Sequence, residues 1–334
     1  MTITQTSSDT LVNDPLSTRV VLEHDALFYP YGYPVRIRSN SRTTLEAAYI
    51  SWSTYTHRHE DTPLDIRLVL STSDSPACVE PPTFRSQGHL LSIVADRENF
   101  ASLDLNAGFA FGWATEATAR NQEYFRQCLL DVMIYPLLEV RHLVTLHAAC
   151  VIYRSKGILL AGNSGAGKSS LSYACARRGW TFVSDDASAF RRCCPVPTVI
   201  GHPQKFRFRE PVGQLFPEFR DLKSTLRAYG KPTIEVLTRT IDSIQGTDES
   251  HVDAIVFLNR PAYQSGPPLL LPVSYEDAWK RLCFSVWAVQ MPAFEERLAA
   301  LERLLLTVPT FEIQYSELGP AVDLLERAVQ DKLF

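Results

Sequence analysis

The run Gly162-Asn163-Ser164-Gly165-Ala166-Gly167-Lys168-Ser169 carries the fixed residues of the pattern G-x-x-x-x-G-K-S, and that spacing suits the holding of phosphate. Glycines at 162, 165 and 167 let the backbone curl until successive N–H groups point inward, and the positive end of a following helix adds to the pull on an anion. Lys168 is expected to reach the β- and γ-phosphates of ATP, and the Ser169 hydroxyl to ligate the Mg2+ that bridges them. With Ser170 the nucleotide-binding set runs over 162–170.

An acidic pair, Asp185-Asp186, follows the run Trp180-Thr181-Phe182-Val183-Ser184, which reads as a strand. Ligand-contacting groups collect at such strand ends. Neighbours on extended chain point to opposite sides, so the two carboxylates divide the work: Asp185 falls to the acceptor hydroxyl and Asp186 to the metal or its shell. A solvated strand end or a helix cap is the competing reading. His147, in Leu146-His147-Ala148-Ala149, could orient or protonate a phosphate oxygen, although a histidine among apolar neighbours is commonly a satisfied core residue. Lys205, Arg207 and Arg209 alternate with Phe206 and Phe208, putting three cations on one side of a predicted strand and two rings on the other. That face suits phosphate or an acidic acceptor, or equally a solvated edge. The cluster His57-Arg58-His59-Glu60-Asp61 lacks distant partners at metal-ligand spacing and reads as a polar loop.

The elements that must position these residues are legible in outline. Strands are expected over 149–153 and 157–161, joined by Arg154-Ser155-Lys156 as a hairpin, with the cradle following at once. A helix runs from Lys168 to Arg178 and stops at Gly179, suited to a left-handed cap. The strand 180–184 comes next, with later strands over 232–237, 252–258 and 311–315 and amphipathic helices over 294–306 and 320–329. Such alternation predicts an α/β domain over 141–334. Ahead of it, residues 18–140 show short β-rich runs at 19–22, 64–70 and 89–94, and predict a smaller β-rich α+β domain. Its closing helix falls at 121–140, where Pro136 introduces a kink. Residues 1–17 are polar and predict a loose tail.

With 334 residues, 45% of them hydrophobic, the chain can bury two ordinary cores. A net charge of -4 excludes a global basic field, so neither nucleic acid nor an anionic membrane is an expected partner, and phosphate binding must be local. Seven cysteines, with no C-x-x-C spacing, predict neither a disulfide framework nor a zinc ribbon and fit a reducing cytoplasm. No targeting segment or membrane-spanning run is expected.

The chain resembles the HPr kinase/phosphorylase superfamily, in particular its HPr-kinase-like members. The residues that carry the resemblance are Leu146-His147-Ala148, the 162–169 cradle, Arg178-Gly179 and Val183-Ser184-Asp185-Asp186, with weaker similarity through Gly230-Lys231 and Phe257-Leu258-Asn259-Arg260-Pro261. The resemblance covers about residues 140–330 and implies a phosphoenolpyruvate-carboxykinase-like P-loop domain. It implies catalytic roles for His147 and Asp185, the aspartate taking the proton of an acceptor serine. Its second cation falls on Lys231, where members carry arginine. The signature E-I-R-G-L-G-I is absent, its place taken by Ile200-Gly201-His202-Pro203-Gln204-Lys205-Phe206-Arg207, so the metal-binding glutamate is missing and HPr is not the implied acceptor. The implied activity is an ATP-dependent kinase acting on a serine hydroxyl of a peptide or protein, in an assembly of several copies. A small hydroxylated metabolite as acceptor, and an ATP-binding regulatory module without transfer, are the alternatives.

Overall fold

The computed structural model describes residues 20–209, 212–226, 232–260, 266–283 and 291–334. The tail 1–17 and Lys231 lie outside them. The fold is mixed α/β with several sheets, and it divides into two units, the first running to Arg141 together with 291–292 and the second from His142 onward.

In the first unit the strands are β1 (His24–Phe28), β2 (Val35–Ser39), β3 (Leu64–Ser71), β4 (Thr83–Gln87), β5 (Leu90–Val94), β6 (Phe100–Asp104) and β7 (Phe109–Thr115). They form one mixed sheet in the order β1-β2-β3-β7-β6-β5-β4. The strand expected at 19–22 is not formed over the described residues of that run; β1 begins at His24. Helix α1 (Arg42–Trp52) buries Ala47, Ala48 and Trp52. The expected closing helix is interrupted by a π-helical turn, Arg126–Leu130, before α2 (Asp131–Arg141), which contains Pro136.

The second unit is built on strands β9 (Ala148–Tyr153), β10 (Lys156–Ala161), β11 (Thr181–Ser184), β18 (Ala254–Asn259), β19 (Leu269–Pro272) and β20 (Thr310–Gln314), in the order β11-β9-β10-β18-β20-β19. Two small sheets accompany it. One joins β17 (Glu249–His251), β13 (Thr198–Ile200), β12 (Ser188–Arg191) and β8 (Leu143–Leu146); the other joins β14 (Lys205–Phe208), β16 (Pro232–Leu237) and β15 (Thr225–Leu226). The β9–β10 connection is tighter than expected: Lys156 already pairs with Tyr153, and Arg154 and Ser155 both take positive φ (48° and 65°), as a two-residue primed turn requires.

Strands β10, β18 and β20 run parallel, and β10 and β18 read as nearly unbroken apolar runs because both of their faces are covered. On one face Ile158, Leu160 and Val256 meet α3 (Lys168–Arg177) and α6 (Leu318–Gln330) through Leu171, Cys175, Val322 and Leu325. On the other, Leu159, Ile255 and Phe257 meet α4 (Tyr275–Leu282) and α5 (Phe294–Thr307) through Leu282, Leu301 and Leu304. Each fully buried aliphatic side chain here contributes about 1.5–3 kcal/mol. Strand β14 is clamped to α3 by Tyr173, whose ring meets those of Phe206 and Phe208 edge-on at 5.1 and 5.4 Å. Such pairs add about 0.5–1.5 kcal/mol each beyond burial.

Candidate active site

Strand register brings the chemistry to one edge of the second unit's main sheet. Ala161, at the end of β10, pairs with Ala148 at the start of antiparallel β9, so His147 lies beside the entry to the cradle. Ser184, at the end of β11, pairs with Cys150 after a register shift, which brings Asp185 and Asp186 to the same edge. Both segments then step into the neighbouring small sheet, where Ser188 pairs with Leu146. The crossing is tied by the Ser188 hydroxyl, which donates to Ala148 O at 2.9 Å and lies 2.6 Å from Ser184 Oγ. Two chain segments thus cross side by side and set His147 opposite Asp186.

The cradle itself has the backbone that its glycines predict. Gly165 and Gly167 adopt left-handed φ of 93° and 98°, and Gly167 leads directly into α3. A Cβ on Gly167 would also stand 3.1 Å from the Tyr315 hydroxyl, which is buried beneath the loop with no hydrogen-bond partner. The helix closes as expected: Gly179 (φ 87°) and Trp180 donate to Ala176 O and Cys175 O at 3.0 and 3.2 Å, a Schellman cap.

Lys168 is buried, its side chain 4% exposed. Its Nζ donates to Gly162 O at 2.9 Å and lies 3.3 Å from Asp186 Oδ1. His147 Nδ1 approaches the same oxygen at 3.3 Å, with 46% of its side chain exposed, so it is not a core histidine. Desolvation of its inner edge holds the His147 pKa below the ordinary value; the Asp186 charge opposes this and those of Lys168 and Arg209 reinforce it. A neutral imidazole can accept a proton or hydrogen bond.

Asp185 points elsewhere, as opposite-facing neighbours should. It is 6% exposed, and its Oδ2 accepts the Arg207 N–H at 2.6 Å. Burial pushes its pKa up to about 7, against the Ser169 hydroxyl and the Arg207 N–H, which favour the charged form. Its Oδ1 is buried without a hydrogen-bond partner. The structure therefore joins His147, Lys168 and Asp186 in one group, and Asp185 with Ser169 in another. Left-handed glycines at the cradle and an unsatisfied carboxylate oxygen beside Ser169 fit a magnesium-bound triphosphate.

Of the basic strand, Lys205 and Arg207 both end on Glu235 of β16, at 2.9 and 3.1 Å, so both are paired within the sheet on one shared carboxylate. Glu235 gave no sequence signal, because its register opposite Arg207 is a property of the sheet. Arg260, one residue past β18, lies with its guanidinium 5.5 Å from the Tyr315 ring centre and close to Gly167. It lies in the 257–261 run that carries weaker similarity, but only its place after the strand next to β10 points to it as a residue of the site. The His57 ring stacks on Tyr29 at 4.8 Å and lies 3.7 Å from Glu60, as part of a surface turn. No helix among the described residues is long and apolar enough to cross a membrane.

No family model matches the chain, and no curated protein does. Among solved structures, one described as the Hpr(Ser) kinase/phosphatase from Coxiella burnetii aligns over 56% of this chain and 95% of its own, with 17% identity and a TM-score of 0.30. Likeness of this degree carries no argument about the fold or the chemistry of this chain.

Proposed function

We propose that the second unit is an ATP-dependent phosphotransferase with a phosphoenolpyruvate-carboxykinase-like P-loop arrangement, and that the acceptor is a serine hydroxyl of a peptide or protein. One observation carries the reading: a glycine cradle in left-handed backbone opens α3 beside a buried lysine, and a carboxylate paired with histidine faces that lysine. A structural turn needs no such convergence. The serine acceptor is supported by the motif resemblance of His147, the cradle and the double aspartate.

Lys168 and the N–H groups of 165–169 bind the phosphates, and Ser169 with Asp185 holds Mg2+, the unsatisfied Asp185 oxygen supporting that place. A metal ion held there would neutralise part of the charge on the phosphates. Asp186, oriented by His147, takes the proton as the acceptor oxygen bonds to the γ-phosphorus; the bond from that phosphorus to the β–γ bridging oxygen breaks, and ADP leaves with the electron pair. The carboxylates thus exchange the roles expected from the sequence, since it is Asp186 that is half-exposed and reachable by an acceptor.

Purified protein incubated with Mg-ATP and serine peptides, and separately with hydroxylated metabolites, should release ADP and yield a phosphopeptide. Lys168→Ala should abolish this. Asp186→Asn should lower transfer by roughly two to four orders of magnitude at nearly unchanged ATP affinity, as expected for a lost general base, while Asp185→Asn should raise the magnesium concentration needed for half-maximal rate. The opposite pattern would restore Asp185 as the base, product on a metabolite alone would change the acceptor class, and absence of ATP binding would sink the reading.

A further inference from the structure

The basic run leaves one cation unaccounted for. Phe206 and Phe208 are driven into the aromatic cluster around Tyr173, which settles where the alternating cations go. Lys205 and Arg207 share Glu235. Arg209, past the end of β14, makes a different contact: its Nη2 donates at 2.5 Å to the hydroxyl of Ser164, the exposed third residue of the cradle. Among the described residues no carboxylate pairs with it. Its charge is also felt at His147, where it helps to depress the imidazole pKa. Two residues back along the chain, the Arg207 N–H holds Asp185. Arg209 is therefore delivered to the cradle by a strand that is itself anchored both to α3 and to an active-site carboxylate.

A guanidinium held, among the described residues, by a neutral hydroxyl at the mouth of a phosphate cradle is an anion site in waiting. Its planar fork matches phosphate oxygens two at a time, and the charge-assisted bonds so formed are among the stronger that side chains make. Its position along the triphosphate follows from the loop. The backbone nest and the start of α3 take the inner phosphates, whereas Ser164 stands exposed on the outer lip, and the Arg207 N–H bond to Asp185 ties the segment that carries Arg209 to the edge where the carboxylates lie.

We propose that Arg209 is a catalytic residue that grips the terminal phosphate of the bound triphosphate and stabilises the charge spreading over its oxygens during transfer. Lys231, to which the sequence resemblance assigned a second cation, lies outside the described residues and is not needed for this reading. The inference rests on the proposed function, and its test separates the two.

Isothermal titration of wild type, Arg209→Ala, Arg209→Lys and Lys205→Gln with ATP and with ADP, each with and without Mg2+, reads the contact directly. Arg209→Ala should weaken ATP by roughly tenfold or more, the scale of losing hydrogen bonds to a charged group, while ADP stays within about twofold. Lys205→Gln, which removes one charge from the same strand, should leave the ratio of ATP to ADP affinity unchanged. Turnover of Arg209→Ala should fall by roughly a hundredfold or more, given what a transition-state arginine supplies, with Arg209→Lys intermediate because it keeps the charge and loses the fork. Arg209 is exposed, so thermal midpoints should move little, and the lysine variant guards against loss of fold. If wild type binds ATP and Arg209→Ala weakens ATP and ADP equally, or neither, the inference is overturned alone. If wild type binds neither nucleotide, the proposed function fails and takes the inference with it.

Discussion

Replacing Asp185 by asparagine should make the protein more resistant to unfolding at neutral pH, by an amount the structure lets one work out. Burial pushes this carboxyl up to about 7 from an ordinary 3.8. The folded chain thus keeps a proton that the unfolded chain releases, and wild-type stability falls as pH rises from about 4 to about 7, then levels off. At about 1.4 kcal/mol per pKa unit, the accumulated loss is of order 4 kcal/mol. Asparagine keeps the shape and can still accept the Arg207 N–H, but does not titrate. Any fixed effect of the new amide, such as a donor left unpaired near Ser169, is the same at every pH. The difference in unfolding free energy, variant minus wild type, should therefore grow by about 4 kcal/mol between pH 4 and pH 8. Urea denaturation at one-unit pH steps, in EDTA and without nucleotide, measures it. A difference that stays flat to within about 1 kcal/mol would mean that the carboxyl is as well solvated folded as unfolded, and the argument from its burial would fail. A positive slope would mark Asp185 as a residue kept for function at the expense of stability.

His147→Ala should lower turnover far more than it lowers the thermal midpoint, because nearly half of the side chain is exposed and its one close polar partner is Asp186; parallel losses in activity and melting temperature would return it to a structural role. Phe206→Ala should cost about 3–5 kcal/mol in chemical denaturation, as expected for emptying a fully buried aromatic site. It should also weaken ATP binding, since the strand it anchors carries the Arg207 N–H and Arg209; unchanged ATP affinity in the folded variant would uncouple β14 from the cradle.

What the sequence determined by itself was the local backbone and the chemistry that local backbone allows. Glycines at 165 and 167 predict a backbone curled into a cradle, Gly179 predicts the helix stop, and the apolar runs of β10 and β18 predict strands, because each of these depends on a few neighbouring residues and their own steric limits. The Pro136 helix and the start of β1 were less legible: a π-turn changes helical phase without a compositional mark, and alternation is weak over 19–22. Tertiary structure decided everything that pairs residues far apart in the chain. The same alternation that separates Asp185 from Asp186 says nothing of which one meets Ser169; the register shift in β11 and the crossing of two segments between sheets send Asp186 to His147 and Lys168 and bury Asp185. Nor could the spacing of Lys205, Arg207 and Arg209 tell a phosphate-binding face from a solvated edge. Glu235 answers the first two and Ser164 holds the third, because sheet register, set by the burial of whole strands, decides which charges meet and which are left facing the cradle.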